Sequence, residues 1–319
     1  MRLRLLLVAA LLAATPAAAQ TPPAEDSLAA IGDWVGKFVA LSAEPAKASA
    51  TCGPQLGNVI AKVRDSTSAR AAVPQIRPCI EEIRTAYRGS AQALAQFAPA
   101  PPTLEAATNF DTRKLIEDQR GQFVAALAYL DQLDAFLATM AANDRAGAAR
   151  LFPKMRAGGA ALVDGTILQM RAYQGIARYG FIRSSLTLRI VVAEAAKLPM
   201  TGAIGPGSFT IGNGLKALAP RAGAAAAGIR TGWEQDKASL RALVGDDATM
   251  EPLIERMAPT VEKIAVSGDA IAAALQRAGR QPVVPAAEAL ALLNELNRHE
   301  LAIAKSLQDF AQTLQTIGK

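Results

Sequence analysis

Three stretches of this chain repeat apolar residues at three- and four-residue intervals, and that pattern leaves little choice of fold. Ile116, Phe123, Leu130, Leu133, Leu137 and Met140 form one stripe. Met250, Ile254, Met257, Val261, Ile264, Ile271 and Leu275 form a second, and Leu293, Leu296, Ile303, Leu307, Phe310, Leu314 and Ile317 a third. At 3.6 residues per turn each set lines one face of a helix, with charged residues opposite. Such helices must cover their stripes, and they do so by packing on one another. The spacing predicts an all-α fold, an elongated bundle of about five to seven long antiparallel helices. Abundant Ala and Leu and an aromatic content of only 5% agree with it, because those residues lose least on entering a helix.

The first residues carry an export argument. Arg2 and Arg4 precede a charge-free apolar run over 5–14, Pro16 ends it, and Ala17-Ala18-Ala19 supplies small residues for cleavage before Gln20. That is the layout of a secretory signal peptide over 1–19, and the run is too short for the roughly 20 residues that span a bilayer. No cysteine follows the cleavage point, so no lipoprotein anchor is encoded there. The mature chain is expected in the periplasm or outside the cell. Its two cysteines, Cys52 and Cys79, then read as one disulfide closing a helix–turn–helix segment.

Prolines and glycines punctuate the rest. A first helix through Phe38 and Leu41 is expected to end near Pro45, and a short second one to start at Cys52-Gly53-Pro54. Pro74 and Pro78 predict an interruption, with a third helix opening at Cys79. The proline-rich stretch 99–103 reads as a linker between an N-terminal disulfide-bonded subdomain (20–98) and a long-helix body (104–319). Residues 160–198 read as one helix, bent at Gly175 and Gly180. Residues 198–215 hold five glycines, two prolines and no charge, which predicts a glycine-rich apolar loop or a small hairpin carrying Ile204, Phe209 and Ile211. Helix is expected to resume at Leu215 and break at Pro220.

Charge is distributed unevenly. Residues 145–230 carry 12 Lys/Arg against two carboxylates, Asp164 and Glu194, while both flanks are mildly acidic. Arg171, Arg178 and Arg189 fall on one helical face, with Arg183 beside it. That face would suit an anionic lipid, peptidoglycan or an acidic protein surface. The competing outcome is pairing with the acidic flanks inside the molecule. Glu300 sits in the third stripe between Leu296 and Leu307, where a carboxylate is out of place unless an arginine of the basic segment meets it. Asp131 and Asp134 read as a solvated face.

No catalytic or cofactor motif survives inspection. Gly212-Asn213-Gly214-Leu215-Lys216-Ala217 fits a relaxed dinucleotide pattern but lacks the βαβ unit that gives it meaning, and Asn213 stands where a P-loop needs lysine. His299 is the only histidine, too few for a histidine-based metal site. No cofactor and no metal are expected, and the reading leans away from an enzyme. Nucleic acid is not an expected partner, because no binding motif accompanies the charge. The leading expectation is a non-enzymatic envelope protein that binds or scaffolds through its basic segment. Long helices with an uncharged tip between two basic helices also resemble, in layout alone, helical pore-forming toxins. That resemblance implies a membrane-active protein using the 198–215 loop. An enzyme of unknown class is the third reading.

Overall fold

The computed structural model describes residues 33–34, 36–38, 40–60, 62–102, 104, 111–177, 179–205, 207–244 and 250–316; the signal segment 1–19, Arg178 and Ile317 lie outside them. Among the described residues the chain forms eight long helices, α1 (Ala43–Ile60), α2 (Ser66–Ala95), α3 (Thr112–Ala141), α4 (Arg145–Ile176), α5 (Gly180–Thr201), α6 (Gly212–Val244), α7 (Met250–Ala278) and α8 (Ala286–Thr316). Three very short strands, β1 (Ala203–Gly205), β2 (Ser208–Thr210) and β3 (Val284–Pro285), pair antiparallel in the order β1-β2-β3. The fold is an all-α bundle.

Each helix packs on the next in antiparallel sense, and α8 returns to α5, so that α5, α6, α7 and α8 close into a four-helix unit. Its core joins Leu188, Leu215, Ile229, Ile264, Leu296 and Ile303. The first and third stripes thus meet different neighbours. Leu130, Leu133 and Leu137 of α3 pack with Ile76, Ile80 and the cysteine pair, while Leu296, Ile303 and Phe310 enter the four-helix unit. The Cα atoms of Cys52 and Cys79 are 5.3 Å apart in a disulfide joining α1 to α2. The proline-rich stretch therefore connects two helices, α2 and α3, that share one core.

The prolines do not break the helices they enter. Helix α1 runs through Pro45 and Pro54, α2 through Pro74 and Pro78, and α6 through Pro220. Pro74, Pro78 and Pro220 lie on exposed faces, where the carbonyl freed by each missing N–H is open to solvent and the loss costs least. Start signals act locally instead. Asp65 caps α2 in a reciprocal box with Ser68, Asp111 caps α3 through the Lys114 N–H at 3.0 Å, and Asp144 caps α4 through the Gly147 N–H at 2.8 Å.

The expected single helix over 160–198 is instead two, reversing between Ile176 and Gly180. Asp236 of α6 causes this from a distance. Its carboxylate accepts the Gly180 N–H at 3.0 Å and the Phe181 N–H at 3.1 Å, capping α5 across 56 residues of chain. The two backbones nearly touch there: a Cβ on Gly232 would lie 2.5 Å from Phe181 N. Burial pushes the Asp236 carboxyl up from its ordinary value, against the pull of those two N–H groups and of Arg183.

Candidate functional site

Among the described residues, five cations of the basic segment meet carboxylates inside the molecule. Arg189 Nε donates to Glu300 Oε1 at 2.6 Å, with the two side chains 28% and 16% exposed. Glu194 faces both Arg171, at 3.6 Å, and Arg221, while Lys197 meets Asp164 at 2.6 Å. Arg230 bridges Glu262 and Asp269, and those bonds raise its pKa further. Arg183 is exposed, and its Nε donates to the Ala177 carbonyl. Tyr179 and Phe181 are buried in the core rather than displayed beside the arginines. Asp131 and Asp134, expected on a solvated face, also receive Arg84 at 3.0 Å and Arg77 at 3.5 Å from α2. Sequence spacing within α3 holds no sign of this, because both partners come from another helix.

Exposed cations without an ion pair among the described residues occur at both ends, Arg113, Arg120 and Arg256 at one and a larger group at the other. The antiparallel order brings together the α1–α2 turn, the α3–α4 turn, the β1–β2 hairpin and the α7–α8 connection with β3. At this hairpin end Lys62, Arg64, Arg70, Arg145, Arg150, Lys154, Lys216 and Arg280 are each exposed, and among the described residues none makes an ion pair. Arg145, Arg150 and Lys154 occupy the first turns of α4, whose opening turn has no acidic residue. The helix dipole disfavours a cation in the first turn, where Arg145 sits, so its placement does nothing for the stability of α4. Of the carboxylates at this end, Asp65 and Asp144 are engaged in capping, the Ser68 N–H holding Asp65 below its ordinary value, while Glu288 stands exposed in the first turn of α8.

An uncharged apex sits among these cations. Of the stretch 198–215, residues up to Thr201 close α5 and those from Gly212 open α6, and the strands between them form the hairpin, with Ile204 opposite Phe209 and Phe209 opposite Val284. Gly207, at φ +68°, makes the tight turn that an L side chain resists. Ile211 is buried and Phe209 half-buried against the core, whereas Ile204 is 43% exposed. Arg156 ties the hairpin base to α4: its Nη2 donates to Pro199 O at 3.1 Å and Gly202 O at 2.6 Å, the carbonyls at the end of α5. Phe152, Met155, Met200, Ile204 and Phe209 line an apolar crevice of about 190 Å³ beside it. A wider groove of about 810 Å³, floored by Ala219, Gly223 and Ala272, lies between α6 and α7 and has Lys216 and Arg280 in its wall.

Among the described residues no three His, Cys, Asp or Glu side chains converge as a metal site would require. No family model, curated protein or solved structure matches this chain.

Proposed function

We propose that this protein is a non-enzymatic helical scaffold of the cell envelope whose hairpin end contacts an anionic surface. The observation that carries the reading is the division of charge. Arg171, Arg189, Lys197, Arg221 and Arg230 have carboxylate acceptors inside the molecule, whereas Arg145, Arg150 and Lys154 have none among the described residues. Repelling cations held at one end focus a positive potential that an acidic partner neutralises. The signal-peptide layout of residues 1–19 and the disulfide between Cys52 and Cys79 support an oxidising envelope compartment. The test is sedimentation of the purified mature protein with insoluble peptidoglycan, with phosphatidylglycerol vesicles and with phosphatidylcholine vesicles, at low and high salt. Salt-sensitive retention by either anionic material supports the reading. Retention by neither at low salt overturns it.

A membrane-active reading has one observation in its favour: α3 is long and apolar enough to cross a bilayer. Its stripe is covered by α2 and α4, so insertion would require those contacts to open. Dye release from anionic vesicles separates this reading from surface binding.

A further inference from the structure

We infer that the anionic surface is a phospholipid one, and that Ile204 and Val283 enter its interfacial layer when the hairpin end docks. The inference rests on the reading just proposed and adds the partner. Six large apolar side chains stand exposed among the described residues. Val124, Leu168, Val266 and Leu301 are scattered along the flanks of helices α3, α4, α7 and α8. Ile204 and Val283, 43% and 45% exposed, belong instead to one end, on β1 and immediately before β3. Side chains alternate across a strand, and Val284 points into the core, so Val283 points outward. Ile204 stands opposite Phe209, which stands opposite Val284, so it lies on the other face of the sheet from Val283; on the edge strand, beside the α4 crevice, its side chain is left open rather than covered.

The arrangement of charge around them suits a bilayer better than a polyanion. The sequence over 198–215 and over 281–287 contains no charged residue until Lys216 and Glu288 are reached. Arg145, Arg150, Lys154, Lys216 and Arg280, with the single carboxylate Glu288 in the first turn of α8, therefore flank an uncharged apolar apex, as an interfacial protein requires: headgroups meet the cations and the apex meets the acyl boundary. A partner held by charge alone would call for cations at the centre. The apex is also rigid. The Gly212 N–H donates to Pro282 O at 3.0 Å, the Ala286 N–H to Gly207 O at 2.9 Å, and Arg156 clamps the hairpin base. Little ordering is left to be done on binding.

The experiment compares three full-length mature variants on vesicles of phosphatidylglycerol mixed with phosphatidylcholine, and on peptidoglycan. Ile204→Asn with Val283→Asn is expected to lose vesicle affinity at least tenfold while peptidoglycan retention is unchanged. Val124→Asn with Leu168→Asn, more exposed but on the helix flanks, is expected to bind vesicles like the parent. In Ile204→Trp the added indole is expected to shift its emission to shorter wavelength with vesicles and to be quenched by brominated acyl chains. The native indoles of Trp34 and Trp233 are 7% and 5% exposed, which keeps the background steady. Unchanged vesicle binding of the Ile204/Val283 variant, with no shift in emission from the added indole, overturns the lipid inference but leaves the anionic-surface reading standing. No binding of the parent to vesicles or peptidoglycan removes both.

Discussion

Arg189 Nε lies 2.6 Å from Glu300 Oε1, joining α5 to α8 across 111 residues of chain. The contact turns the most conspicuous feature of the basic segment inward. Glu300 occupies a stripe position that otherwise calls for an apolar residue, and an arginine that spacing places on an exposed face reaches it there. The pair locks the register of the two helices that close the four-helix unit.

Removing one partner leaves a half-buried charge alone. Arg189→Met is expected to cost about 2 kcal/mol, below the range for a fully buried pair because water still reaches both groups. Arg189→Met with Glu300→Leu is expected to recover most of that loss. Urea midpoints of the two single variants and the double variant measure it, and a double variant as unstable as the sum of the singles contradicts the pairing.

Asp236 gives a pH dependence with a definite sign. Burial raises its carboxyl above the unfolded value, so the folded state holds its proton more tightly than the unfolded chain does. The stability from that proton is complete below the ordinary carboxylate range and is lost as pH rises through the raised value. The stability advantage of the parent over Asp236→Asn, read from urea midpoints, is expected to grow as pH falls from neutral into that window. Asp236→Ala removes both caps of α5 and is expected to cost about 2 kcal/mol at neutral pH.

Two glycine substitutions should diverge. Gly232→Ala places a Cβ 2.5 Å from Phe181 N and 2.6 Å from the Gly180 carbonyl carbon, backbone that cannot step aside, and is expected to cost more than about 2 kcal/mol. Gly121→Ala, inside α3 with open space around it, is expected to stabilise by about 0.5–1 kcal/mol. Thermal unfolding of both variants checks the contrast.

Replacing Cys52 and Cys79 by alanine is expected to lower stability by about 3–4 kcal/mol, mainly by freeing the unfolded chain. Reductant should lower the parent to the same midpoint and leave the double variant unmoved.

Much of the bundle is legible in residue spacing, because a stripe of one period reports its own helix. The three stripes correspond to α3, α7 and α8, and Glu300 announces a partner by being out of place. Local signals mislead where tertiary context decides. Pro74, Pro78 and Pro220 suggest breaks, yet each lies on a wet face where a missing N–H costs least. The reversal before Gly180 is governed by Asp236, a residue 56 positions away, so no window around 175–180 could contain it. Charge counting finds the basic segment but not its ion pairs, since acceptors such as Glu262 and Glu300 lie in other helices. The cations at the hairpin end become distinguishable only once the antiparallel order has gathered several turns together.

The proposed contact is made by one end rather than by overall charge, and two charge-matched variants test it. Arg145→Glu/Arg150→Glu/Lys154→Glu alters the hairpin end. Arg113→Glu/Arg120→Glu/Arg256→Glu makes the same change in net charge at the opposite end, at exposed positions with no ion pair among the described residues. With each cation near an anionic surface contributing about 1 kcal/mol, the first is expected to lose at least tenfold in affinity for phosphatidylglycerol vesicles at low salt, and the second to stay within about twofold of the parent. Equal losses in the two variants would show that net charge alone drives binding and would contradict the account.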